Sequence, residues 1–337
     1  MNIKSHTKVD LYLTKDLKAG KKCELSLEGD GFTIKESKNG KIILNVSFLD
    51  FIGLGINCSN EKNFIVYTSA WYSVGCLFKS KARTDTRMLV DPKKLTYYHQ
   101  MSDAEIKSLQ DEIMENFQNH LKIQHGCGIE NTYNINNDAN SKNWMKKALV
   151  FINPHAGRGK SLQIFEESKP YLIANGFVLD DVIITTKKDE ISETLQKMDK
   201  QKFLEFYQVI LVGGDGTVHE AINGFYKNPN LQELNLRIGC LMGGGACASS
   251  VNQGLGWGLC CGENGFNSLW ALTRARFQPM NIIRMATDGP QPVIYGFHSL
   301  SLAFVADKCE LTEAARSSKI SGKPYYFKLM ELQKKLL

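Results

Sequence analysis

Three glycine clusters, each placed where a short apolar run ends, constrain this chain more than any other feature. Residues 148–152 lead into Asn153-Pro154-His155-Ala156-Gly157-Arg158-Gly159-Lys160, and residues 209–212 into Gly213-Gly214-Asp215-Gly216-Thr217. Residues 236–241 lead into Met242-Gly243-Gly244-Gly245-Ala246-Cys247-Ala248. Between them lie segments with helical spacing, 161–174, 190–198 and 218–226, and one more apolar run, 178–184. Pro170 is expected to kink or interrupt the first of these helices, because it lacks the amide that a helix interior needs. Apolar runs alternating with helices define an α/β unit with parallel strands, whose ligand site belongs at the carboxyl ends of the strands. The glycines fall there.

Each cluster suggests chemistry of a different strength. At residues 153–160 glycine lets a tight turn aim backbone N–H groups at an anion, the following helix start adds a favourable field, and Arg158 and Lys160 add charge. It is not a Walker A loop, which needs an earlier glycine before Gly-Lys-Ser, and an ordinary turn remains an alternative. Three glycines around Asp215 suit a backbone that a nucleotide approaches closely. Asp215 is a candidate either to take a proton from an attacking hydroxyl or to help place Mg²⁺. The third cluster offers backbone contact alone, or a loose turn. His219 and Glu220, just beyond Asp215, are candidates to orient the site or to serve structure.

The preceding half of the chain has a different pattern. From residue 23 to 98, alternating or short apolar runs (23–27, 32–34, 42–48, 64–67, 75–78, 95–98) are separated by turn residues, as in a small antiparallel sheet or barrel. Ile106, Leu109, Ile113 and Phe117 then follow at helical spacing, ending near His120, with Ser102 and Glu105 forming a capping box. A curled sheet closed by one helix resembles the pleckstrin-homology-like domains. Lys79-Ser80-Lys81-Ala82-Arg83 is its one candidate for phosphate contact, or else a solvated hairpin tip. Residues 126–143, rich in Gly and Asn, read as a flexible linker, since they have too little apolar surface to offset ordering.

A net charge of +6 is too small to argue for nucleic acid, though it is compatible with phosphate or acidic lipid. No signal-peptide core and no run near ~18 apolar residues is present, so a cytoplasmic protein without a transmembrane segment is expected, with peripheral membrane contact. Nine cysteines lacking any C-x-x-C pair suggest buried thiols and no metal site.

Taken in order, Asn153-Pro154 with Gly157-x-Gly159-Lys160, then Gly213-Gly214-Asp215-Gly216-Thr217-x-x-Glu220, resemble the two nucleotide-site signatures of the diacylglycerol kinase-like lipid kinases. Within that family the likeness is to sphingosine and ceramide kinases. The stretches Pro279-Met280-Asn281-Ile282 and Ser301-Leu302-Ala303-Phe304-Val305-Ala306-Asp307 resemble the boundary between catalytic lobe and lipid-binding β lobe. The resemblance implies a pleckstrin-homology-like β domain (1–122), a linker (123–144), an α/β nucleotide-binding lobe of NAD kinase/diacylglycerol kinase-like fold (145–279) and a partial C-terminal β lobe (280–337).

It further implies that Asp215 activates the primary hydroxyl of a sphingoid-type lipid for attack on the γ-phosphate of ATP, with Mg²⁺ bridging the phosphates. Asn153, Pro154, Gly157, Arg158, Gly159, Lys160, Thr186, Gly213, Gly214, Gly216, Thr217, Glu220, Gly243, Gly244, Gly245 and Arg316 would then line the nucleotide site. Asp307 and Glu310 would meet the lipid head group, Glu310 because Cys309 stands where sphingosine kinases carry a second aspartate. Gly244 and Ala246 replace a hydroxyl and an amide of the family's third loop, so weak nucleotide binding is expected. The chain stops at Leu337, before most of the family's β lobe. The alternatives are a catalytically inactive regulatory paralogue associated with lipid or membrane, a kinase acting on diacylglycerol, and an NAD kinase, which shares the aspartate loop.

Overall fold

Edge-to-edge pairing of short strands builds the first half of the protein and parallel pairing the second. The computed structural model describes residues 9–12, 22–48, 51–57, 63–68, 71–74, 86–89, 93–99, 102–125, 144–242, 266–274, 277, 279–286, 288 and 293–297. Two compact units divide the chain, Met1–Pro279 and Met280–Leu337.

Within the first unit, β1 (Val9–Tyr12), β2 (Lys22–Glu28), β3 (Gly31–Glu36), β4 (Ile42–Ser47), β5 (Phe51–Asn57), β6 (Asn63–Thr68) and β9 (Lys93–His99) form one antiparallel sheet. Its order is β4-β3-β2-β1-β9-β6-β5. A separate pair, β7 (Trp71–Val74) with β8 (Thr86–Leu89), lies beside it in sequence. Strict alternation puts Cys23, Leu25 and Leu27 on the buried face of β2. They pack with Phe32, Ile34, Val46, Phe48, Phe51, Leu54 and Val66 against Ile106, Leu109, Ile113, Met114, Phe117 and Leu121 of α1 (Asp103–His125). The capping box forms as the sequence suggests: Glu105 N–H donates to Ser102 Oγ at 3.3 Å and Ser102 N–H to Glu105 Oε2 at 2.8 Å. α1 runs past His120 to His125, because Leu121 continues the buried face and the first helix breaker is Gly126. The expected strand at 75–78, the basic stretch 79–83 and the linker 126–143 lie outside the described residues.

The second half is a four-stranded parallel sheet in the order β11-β10-β12-β13, from β10 (Lys146–Ile152), β11 (Phe177–Ile184), β12 (Gln208–Gly213) and β13 (Ile238–Met242). Its helices are α2 (Ser161–Ala174), α3 (Glu190–Lys197), α4 (Lys200–Leu204), α5 (Asp215–Lys227) and α6 (Phe266–Thr273). One sheet face (Ala148, Val150, Ile152, Ile210, Val212, Leu241) packs on Phe165 and Leu172 of α2 and Leu269 and Leu272 of α6. Alternation sends Leu149, Phe151, Val209 and Leu211 to the other face, where α3 and α5 supply buried Ile191, Leu195, Val218, Ile222 and Phe225. α4, unmarked in the sequence reading, starts at Asp199, whose Oδ1 accepts from Gln201 N–H at 2.7 Å. Pro170 does not interrupt α2. It and Glu166, four residues back, are both exposed residues. In the second unit, β14 (Ile283–Ala286) pairs antiparallel with β15 (Val293–Gly296).

The β module and the α/β lobe meet along the edge strand β5. Gly53 permits the approach: a Cβ there would lie 2.3 Å from the Ala174 carbonyl oxygen at the end of α2. Asn175 donates to Ile52 O and accepts from Lys146 Nζ at 2.7 Å, while Tyr67 and Tyr171 meet edge to face with centroids 5.0 Å apart. Arg274, just past α6, donates to Phe48 O at 2.8 Å and Phe51 O at 2.6 Å. Trp144 is buried in the module core and donates to Asp111 Oδ1 at 3.0 Å.

Burial, with the Arg274 charge adding to it, pushes the Lys146 ammonium down to about 7 from its ordinary 10.5. Between those pH values the unfolded chain holds a proton that the folded chain has released, so this residue's contribution to stability rises with pH. The slope approaches about 1.4 kcal/mol per pH unit. Urea unfolding at pH 7.0 to 9.0 should show that rise, and Lys146→Met should flatten it; an unchanged slope in the variant would refute the assignment.

Candidate active site

The central pair of parallel strands decides where the glycine clusters meet. β10 and β12 run side by side with Ile152 opposite Val212, and Asn153 N–H donates to Val212 O at 3.0 Å. Chain order makes this pair a switch point: from β10 the chain moves outward to β11, then returns to β12 on the opposite side. The helices that follow β10 and β12 leave on opposite faces, opening a crevice above the strand ends. The loops bearing Gly157 and Gly214 therefore share one end of the sheet.

After β10, the backbone turns on side-chain and main-chain bonds. His155 N–H donates to Asn153 Oδ1 at 3.0 Å, Ala156 N–H to Asn153 O at 3.1 Å, and Ser161 Oγ to Ala156 O at 3.1 Å. Pro154 opens the turn, and residues Ala156–Gly159 form a short 3-10 helix ending at Gly159, whose φ of +80° suits glycine. Lys160 is exposed and stands at the N-cap of α2 without a side-chain cap. Gly157 and Arg158 lie in this 3-10 turn.

After β12, the helix starts earlier than its apolar spacing suggests. Gly214 is the N-cap, again without a side-chain cap, and Asp215, Gly216 and Thr217 form the first turn of α5. Asp215 is exposed at the crevice. Below it on β13, the Cys240 thiol is pushed up to about 12 by burial and by the Asp215 charge, so it stays protonated. The glycines have different causes. Gly213 has an internal one, since a Cβ would lie 2.2 Å from Thr217 Oγ1. Gly214 and Gly216 have none: a Cβ at either would meet nothing within 4 Å, and neither has a positive φ.

Thr186 and Glu220 stand at the third strand end but are engaged within the protein. The Glu190 carboxylate accepts from Thr186 N–H at 2.6 Å, Thr186 Oγ1 at 2.9 Å and Lys187 N–H at 3.2 Å, bonds that hold Glu190 below the usual carboxylate range. Glu220, raised by burial, accepts from the backbone of Asp189 and Ile191 and so ties α5 to the start of α3. Asp189 adopts the left-handed conformation with φ of 63°. His219 is exposed, with Asn223 Nδ2 donating to its carbonyl at 2.9 Å. Thr185 locks the edge strand, donating through N–H (2.8 Å) and Oγ1 (3.2 Å) to Ile152 O. Thr185 carries no sign in the sequence, and the one legible sign of Glu190 is its spacing of four from Thr186 before a helix.

Gly243, Gly244, Gly245, Asp307, Glu310 and Arg316 lie outside the described residues. Among the described residues, no group of three or more His, Cys, Asp or Glu stands close enough to hold a metal ion, and no helix is long and apolar enough to cross a membrane.

An α/β domain with two uncapped helix starts and a carboxylate at its switch-point crevice has the form of a phosphate-ligand site. Residues 147–285 match the diacylglycerol kinase catalytic domain, and this part of the chain is similar to lipid kinases. Mouse sphingosine kinase 1 is 29% identical over 48% of this chain and 42% of its own length. Sphingoid long chain base kinase 4 of Schizosaccharomyces pombe is 31% identical over 32% of this chain and 23% of its own, and human ceramide kinase 33% over 23% and 14%. The chain thus covers less than half the length of these relatives.

Glycine's cause at each position sets the outcome of replacing it. Gly213→Ala should lower stability by about 1–3 kcal/mol through the clash with Thr217. Gly216→Ala should keep or slightly raise it, since alanine favours the helix. Thermal unfolding of both variants checks this; equal losses would show that Gly216 also has an internal role.

Proposed function

We propose that the α/β lobe binds ATP with its phosphates across the loops after β10 and β12. It then transfers the γ-phosphoryl group to the primary hydroxyl of a sphingoid-type lipid, sphingosine or ceramide. The observation that carries this reading is the pair of uncapped helix starts at Lys160 and Gly214, flanking exposed Asp215 and two glycines that the fold itself does not require. By contrast, α4 is capped by Asp199 and α1 by its capping box, and at α3, whose N-cap Asp189 also lacks a side-chain cap, Glu220 accepts from the backbone of Asp189 and Ile191. Leaving two starts open at one crevice supplies N–H donors for an anion. Glycine at 214 and 216 leaves room for that anion to approach.

Asp215 would accept the lipid hydroxyl proton as the new O–P bond forms and the bond from the β,γ-bridging oxygen to the γ-phosphorus breaks, releasing ADP. Lys160 and Arg158 would supply positive charge to the phosphates, and Thr217, buried behind Gly213, fixes the first turn of α5. Glu220 and Thr186 act by holding the α3 start, Glu220 from α5 and Thr186 through Glu190. Mg²⁺ would supply positive charge against the phosphates, and Asp215 is the residue of this chain that would help to hold it. The sphingoid class is favoured by the sphingosine and sphingoid base kinases among the relatives. A lipid substrate implies work at a membrane surface, on its cytoplasmic side. Asp307 and Glu310 for the head group, and Gly243, Gly244, Gly245 and Arg316 for the nucleotide, are part of the same proposal. The meander β4-β3-β2-β1 and the strands β9-β6-β5, closed by α1, support a pleckstrin-homology-like module before the lobe.

Asp215→Asn should reduce phosphate transfer by about 10²–10⁴-fold with an unchanged melting temperature. The assay uses radiolabelled ATP with sphingosine, ceramide and diacylglycerol presented in mixed micelles. Full activity in the variant would defeat the role of Asp215. ATP binding without transfer to any of the three lipids would favour the regulatory alternative, and transfer to diacylglycerol alone would move the substrate class.

A further inference from the structure

We propose that the seam between the β module and the α/β lobe positions the nucleotide crevice: Arg274 and Asn175 hold α2 at its carboxyl end, and the helix carries that hold to the turn at its amino end. The inference rests on the nucleotide reading above.

α2 has 14 residues, a rod of about 21 Å. At its start, Ser161 is bonded to the turn that follows β10, through Ala156 O. At its end, Ala174 sits against Gly53 and the C-cap residue Asn175 is fully buried. The Asn175 amide is used on both sides, donating to Ile52 O in the module and accepting from Lys146 Nζ at the start of β10. One side chain therefore joins β5, α2 and β10.

Arg274 makes the second hold. β4 and β5 are the two ends of the seven-stranded sheet and do not pair with each other. Carbonyls at that corner, Phe48 O and Phe51 O, take the two guanidinium Nη donors instead. The guanidinium also lies over the rings of Trp270 in α6 and Phe117 in α1. α6 in turn packs on α2 and β13. Separating module from lobe would strand a buried cation and three carbonyls, so the module is fixed to the lobe by chemistry and not merely joined through residues 126–143. A packed element touching both sites can couple them, and the coupling must run both ways.

The test uses the full chain and ATP binding by calorimetry, at a temperature where circular dichroism shows every variant folded. Arg274→Ala and Asn175→Ala should each weaken ATP about tenfold. Arg274→Lys should fall between, because one ammonium does not reproduce the planar fork across two carbonyls. Leu25→Ala, on the interior strand β2 of the module sheet, should lower the melting temperature yet leave ATP affinity within about twofold of the parent, as expected for a site outside the coupled element. Reciprocally, saturating ATP should slow amide hydrogen exchange across residues 51–54 in the parent protein. Unchanged affinity in the seam variants, or an equal loss in Leu25→Ala, would overturn the coupling while leaving nucleotide binding intact. A parent protein that does not bind ATP would remove both.

Discussion

The pairing of β10 with β12 is the constraint on which the site depends. Register sets Ile152 beside Val212, and the Asn153 N–H bond to Val212 O extends it by one residue. Two loops separated by some sixty residues of chain thereby open onto one crevice. A slip of one residue would turn Val150, Ile152, Ile210 and Val212 away from α2 and α6, so the hydrophobic core that stabilises the lobe also enforces the geometry of the site.

Much of this was legible in the sequence, for identifiable reasons. Strands buried on both faces appear as uninterrupted apolar runs, and residues 148–152 and 209–212 fall within β10 and β12 because nothing else explains such runs between helical segments. The placement of Asp215 among glycines marked the crevice. Its helical state has no sign in the sequence, because apolar spacing begins only at Val218, whereas the backbone starts to wind as soon as Gly214 provides an extended N-cap. β5 is likewise weakly marked. Its glycines weaken the strand signal, yet Gly53 is there for the approach of Ala174, a contact more than a hundred residues distant.

The same limit explains the residues that no motif announced. Asn175 and Arg274 act through backbone groups of distant segments, so their roles depend on tertiary placement, whereas Glu190 bonds locally to Thr186 and Lys187. Glu220 looked like a nucleotide contact by its position after the aspartate loop; in the fold its carboxylate serves the start of α3. Lys146 is an extreme case, a lysine with no exposed surface whose ammonium has Asn175 Oδ1 and the Phe177 ring as neighbours. A linear reading gives such a residue a solvated role by default, because lysine seldom pays the desolvation of full burial.

Selective ¹⁵N-glycine labelling with ATP titration tests the central claim most directly, since it reports which backbone amides face the phosphates. Gly159, Gly214 and Gly216 should shift together with one dissociation constant, while Gly29 and Gly40 in the module turns stay in place. Shifts confined to the module, or none at the two loops at saturating ATP, would contradict a phosphate site across the ends of β10 and β12.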